Sequence, residues 1–126
     1  MSQNEILIVD NDEGVCQALA TRLEDAGYTC KTASSGAQGL ALFQHGHIGL
    51  VITDMNMPHG DGASLIQSIR KQADTPIVVV SGFYNVYEQD LANYPGVTLF
   101  KKPFEAASLI DLVEVEFNTY EKNKAA

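Results

Sequence analysis

Positive charge is scarce in this sequence. Eight Lys and Arg stand against 16 Asp and Glu, a formal net charge of −8 over 126 residues. Binding to nucleic-acid phosphates needs clustered basic residues, so nucleic acid is excluded as the direct partner. Long apolar runs are also missing. None approaches the roughly 18 residues of a membrane span, and no charged-then-apolar leader opens the chain. The expectation is a cytoplasmic protein with no membrane partner. Cysteine is limited to Cys16 and Cys30, too few for a disulfide framework and without metal-ligand spacing, so both read as buried free thiols. There is no internal repeat, low-complexity stretch or interdomain linker. With 45% hydrophobic residues, the chain is long enough for one domain with its own core.

What is present is a set of short apolar runs. Residues 6–9, 48–53 and 77–81 are apolar runs, the last two closing on the hydroxyl residues Thr53 and Ser81, as suits strands covered on both faces. Residues 28–33 and 97–100 are mixed, which suits the edges of a sheet. Helical spacing lies between them. Val15, Cys16, Leu19, Leu23 and Ala26 form one stripe, closed by Gly27. Leu40 and Phe43, with Ala37 and Ala41, form a second, with Ser35 placed to cap it. Leu65, Ile66 and Ile69 mark a third, Tyr87, Leu91 and Tyr94 a thin fourth. Leu109, Ile110, Val113 and Phe117 mark a fifth, which fades into a polar tail at residues 121–126. Strands alternating with helices predict an α/β fold with a parallel sheet. Right-handed crossovers and the burial pattern give the strand order 2-1-3-4-5, the flavodoxin-like (βα)5 arrangement.

In that order ligands bind beyond the carboxyl ends of the strands, where strands 1 and 3 diverge. Asp10, Asn11 and Asp12 follow strand 1. Asp54 ends strand 3, Ser81 ends strand 4, and Lys102 follows strand 5. Asp10 and Asp54 would stand side by side, with Ser81 and Lys102 converging from the other side. Crowded carboxylates need a cation at neutral pH, and oxygen ligands with open water positions suit Mg²⁺. An ammonium and a hydroxyl can serve phosphoryl oxygens, and a carboxylate can act as nucleophile. The set spells phosphoryl transfer onto an aspartate.

The stretches "ILIVDND", "VITDMNMPHGDG", "VVVSG" and "FKKPF" resemble the response-regulator receiver domain of two-component signalling. The resemblance covers residues 1–120, leaving 121–126 as the tail. It implies that Asp54 is the phosphoacceptor, supplied by a histidine kinase or phosphotransfer protein. Asp10, Asp54 and the backbone carbonyl of Asn56 would hold Mg²⁺. Ser81 would be the switch hydroxyl, Lys102 the phosphate-pairing lysine, with Lys102–Pro103 cis, and Pro58 and Gly62 would shape the loop after Asp54. Such a domain promotes its own phosphorylation and hydrolysis but is not a turnover enzyme. Its output partner would meet the face of the fourth helix, fifth strand and fifth helix, where Tyr84, Tyr87 and Tyr94 lie. With no effector domain after the fifth helix, the chain reads as a stand-alone regulator or a piece of a larger protein.

Two positions depart from the family pattern. Asn11 stands where a second acid is usual, so an uncharged amide oxygen replaces a carboxylate ligand. Leu99 stands where a Tyr or Phe ring usually reports the switch. Asp12 reads as the cap of the first helix. Phe83, two after Ser81, is expected to crowd the attacking water and slow loss of phosphate. Two other readings compete. A receiver-like interaction module independent of phosphorylation would suit Asn11 and Leu99. A haloacid-dehalogenase-type phosphatase would use Asp10 as nucleophile and Asp12 as general acid, but leaves Asp54 unexplained. His45 and His47 read as solvated loop residues, and His59 as an exposed loop residue near the entrance.

Overall fold

The computed structural model describes residues 5–55, 61–81, 95–102 and 105–125. Five parallel strands form one sheet: β1 (Glu5–Val9), β2 (Thr29–Ala33), β3 (Ile48–Asp54), β4 (Ile77–Ser81) and β5 (Val97–Lys101), in the order β2-β1-β3-β4-β5. This is the order expected from the burial pattern. All seven residues of β3 and all five of β4 are buried, whereas β2 and β5 are mostly half-exposed. The β1–β3 register shifts between Glu5 and Ile6. The strand ends match the apolar runs to within a residue.

The described helices are α1 (Glu13–Asp25), α2 (Gly36–His45), α3 (Asp61–Arg70) and α4 (Ala106–Ala125). The fourth helical pattern of the sequence, around Tyr87, lies outside the described residues, so α4 is the fifth pattern. Asp12 caps α1: its side chain accepts from the amides of Gly14 and Val15. At the other end Gly27 takes φ 103°. Its N–H donates to the Glu24 carbonyl and that of Tyr28 to Leu23, a Schellman closure that the positive φ of glycine permits. Ser35 caps α2 by accepting from Gln38 N–H, while Gln38 Oε1 reaches back to Ser34 N–H.

Alternation along the strands divides the core in two. Ile6, Ile8, Leu50, Ile52, Val78 and Val80 face α1 and α4. Leu7, Val9, Val51, Ile77 and Val79 face the opposite layer, which holds α3. Each fully buried aliphatic side chain stabilises the fold by about 1.5–3 kcal/mol. Arg70 ties the end of α3 to the turn before β5, donating through Nε to the Pro95 carbonyl.

Three helix details differ from the expected stripes. In α1 the buried alanine is Ala20, and Ala26 is exposed at the helix end. In α2 the closest contact is glycine, not Ala37 or Ala41, which are exposed. A Cβ on Gly39 would lie 2.8 Å from Val9 Cγ2, so the missing side chain lets the helix approach β1. Finally, α4 continues to Ala125, past the last apolar residue of its stripe. Glu, Lys and Ala in that stretch are good helix formers.

Candidate functional site

The parallel ladders run out together. Val9 pairs with Ala33 on one side and Thr53 on the other, and Asp54 pairs with Val80. The next residue of β1 is Asp10, so the sheet delivers its carboxylate beside that of Asp54 at the carboxyl edge. Both are buried, Asp10 at 3% exposure and Asp54 at 6%. Lys102 follows β5, where its N–H donates to the Ser81 carbonyl at 3.0 Å. That bond docks the lysine against β4 and aims its side chain over the sheet edge. Its Nζ lies 3.4 Å from Asp10 Oδ2 and 3.5 Å from Asp54 Oδ2.

Lys102 thus lies within ion-pair distance of two buried carboxylates at once, and buried charged groups of this kind need partners. Asp10 is also held locally: Oδ1 accepts from Asp12 N–H at 2.9 Å. The thiol of Cys16 donates to the Asp10 carbonyl at 3.4 Å and lies 3.8 Å from that of Ala33. The Cys16 pKa is raised, first by burial and then by the charge of Asp10, against a lowering from its bond to the Asp10 backbone. A cavity of about 270 Å³ opens beside Asp10, lined by Asn11, Glu13, Cys16, Thr32, Ser34 and Gln38 among others.

The donor set fits a hard divalent cation. Its oxygen donors are carboxylates, the ligand type that Mg²⁺ prefers. The fit is leaner than usual: among the described residues no three His, Cys, Asp or Glu side chains gather as a metal-binding group. Asn11, exposed beside the cavity, occupies the place of a third acid. Asp12 does not fill in, because its Oδ1 caps α1.

The structure therefore brings Asp10, Asp54 and Lys102 together and sets Ser81, fully buried, at the end of β4. Leu99 sits two strand positions earlier in β5, paired with Val79 and packed on the α3 side. Gly62 lies in the first turn of α3 against the Asp54 carbonyl. Asn56, Pro58, His59, Phe83, Tyr84, Tyr87, Tyr94 and Pro103 lie outside the described residues. His45 ends α2, and the His47 N–H donates to Glu5 Oε1. Cys16 is the buried free thiol expected, but its contact with the Asp10 carbonyl was not foreseen. Its place six residues after Asp10, in the first turns of α1, was the available signal.

A domain with this sheet order and this acid–lysine edge is of the response-regulator receiver class. The sequence signature of the response regulator receiver domain matches residues 6–114, and the chain belongs to that family. It is 33% identical over 89 residues to the probable transcriptional regulator ycf27 of Porphyridium aerugineum, covering 71% of this chain and 37% of that protein. It is 32% identical over 111 residues to the transcriptional regulatory protein GlrR of Escherichia coli K12, covering 86% and 25%. The chain thus spans 25% to 37% of the length of these relatives. Among solved structures, the fold is shared with a receiver domain protein of Methanospirillum hungatei, with TM-score 0.87, 22% identity and coverage of 95% and 98%. The chemotaxis protein CheY4 of Vibrio cholerae is 27% identical at TM-score 0.81, covering 90% of this chain and 97% of that one. No described helix is long and apolar enough to cross a membrane.

Proposed function

We propose that Asp54 accepts a phosphoryl group from a histidine kinase or phosphotransfer protein and that the domain then shifts conformation to control a partner. The observation that carries this reading is the sharing of one lysine between two buried carboxylates at the sheet edge. Asp10 and Asp54 would hold Mg²⁺, with the Asn11 amide oxygen and the Asn56 carbonyl as further ligands. When bound, the cation supplies positive charge where the phosphoryl oxygens gather.

The step itself belongs to Asp54. A carboxylate oxygen attacks phosphorus, the phosphorus–nitrogen bond of the phosphohistidine donor breaks, and an acyl phosphate forms. The departing imidazole takes up a proton. Lys102 then exchanges its bonds to the carboxylates for the phosphoryl oxygens, and the Ser81 hydroxyl turns toward the same group. Leu99 carries no ring and follows this movement less than an aromatic residue would, so the output coupling is expected to be shallow. The chain acts on its own acyl phosphate, not on an outside substrate, and works in the cytoplasm.

The test is intact-mass measurement after incubation with Mg²⁺ and acetyl phosphate, for the unmutated protein and for Asp54→Ala. A single phosphoryl adduct that disappears in Asp54→Ala is expected. No adduct, or one that persists in the variant, overturns the reading.

A further inference from the structure

We infer that Cys16 is a positioning residue for Asp10, fixing the backbone that presents the carboxylate to a divalent cation. The inference rests on the phosphoacceptor reading given above. Four polar groups of Asp10 have partners in the structure. Oδ1 accepts from Asp12 N–H, and Oδ2 lies against Lys102. The Asp10 N–H donates to the Ala33 carbonyl at 3.1 Å. The carbonyl of Asp10, past the last ladder pair of β1, accepts from the thiol of Cys16.

The thiol stands where three elements meet. It is 4% exposed, its own N–H donates to the Asp12 carbonyl, and its sulfur reaches the ends of both β1 and β2. It thereby locks the first turns of α1 to the strand end that carries Asp10. The neighbouring cavity explains why a small weak donor is informative here. If the thiol is removed, water from that side can reach and satisfy the uncovered carbonyl, so the fold is expected to survive. Water carries no tether to α1, however, and Asp10 is then held less tightly by its remaining partners. Groups behind a metal ligand commonly change affinity by 10–100-fold; a thiol is a weak donor, so a loss of roughly three- to tenfold is expected.

The experiment compares the unmutated protein with Cys16→Ala and Cys16→Ser. Magnesium affinity is followed by titration, and amide hydrogen exchange at Asp10 is measured without magnesium. Cys16→Ala should bind Mg²⁺ about three- to tenfold more weakly and exchange the Asp10 amide faster. Cys16→Ser, which restores a donor, should recover most of both. Equal magnesium affinity in Cys16→Ala and the unmutated protein, or loss of affinity only in proportion to unfolded protein, overturns the inference and leaves the phosphoacceptor reading intact. If the unmutated protein neither binds Mg²⁺ nor forms the Asp54 adduct, the phosphoacceptor reading itself falls and this inference falls with it.

Discussion

A Cβ placed on Gly62 would lie 2.7 Å from the carbonyl oxygen of Asp54 and 2.8 Å from Met55 Cα. The first turn of α3 therefore sits directly on the backbone of the strand end that carries Asp54. Inside a helix, Gly→Ala ordinarily gains up to about 1 kcal/mol. Here the clash is with main chain, which cannot rotate away, and overpacking of this kind costs about 1–3 kcal/mol. Gly62→Ala is expected to lower stability in urea unfolding and to reduce the yield of the Asp54 adduct.

A divalent cation held as proposed would compete with Lys102 for the same two carboxylates. Replacing the lysine by an uncharged chain of similar length removes the competitor. Lys102→Met is expected to bind Mg²⁺ more tightly, on the order of tenfold for one partly exposed charge, while retaining phosphate poorly. A magnesium titration that shows equal or weaker affinity would remove the competition from the account.

Position 11 offers the reverse test. Asn11→Asp adds a carboxylate beside Asp10, so magnesium affinity should rise by on the order of tenfold. Without magnesium the extra charge is repelled, and the melting temperature should fall. Unchanged affinity would mean that residue 11 does not reach the cation.

Away from the site, burial, and secondarily the charge of Glu24, raises the Cys30 thiol from its ordinary value of 9.0 to about 11. Burial also raises Tyr28, with Glu114 adding to the effect. Between pH 9 and about 11 the folded protein keeps a proton at Cys30 that the unfolded chain releases. The contribution to stability is therefore complete below pH 9 and is lost as pH rises toward 11. Cys30→Val should flatten that decline in urea midpoints measured across the same window, and an unaltered slope would assign the decline to other groups.

The layout of the fold was legible because a central parallel strand is covered on both faces and is therefore mostly apolar. Ile48 to Asp54 is buried throughout, and its sequence shows it. The mixed runs at Thr29–Ala33 and Val97–Lys101 marked the edges for the same reason. The acids and the lysine could be placed because each follows a strand, and strand order then decides who meets whom. Other features were not legible. The register shift between Glu5 and Ile6 depends on how two strands slide past each other. The packing of α2 through Gly39 depends on a distance to Val9 that no spacing rule encodes. The bond from Cys16 to the Asp10 carbonyl depends on where helix and strand end in space, and periodicity reports only that the thiol faces inward.

The division of the core into two faces has a consequence for how the protein tolerates change. Ile8 and Val9 are neighbours in the chain, yet they belong to separate apolar compartments on opposite sides of the sheet. A methyl group lost from one compartment leaves the packing of the other in place. The two can therefore accumulate substitutions, or be redesigned, as nearly independent modules. The edge carrying Asp10, Asp54 and Lys102 is the seam they share, and it is where such independence ends.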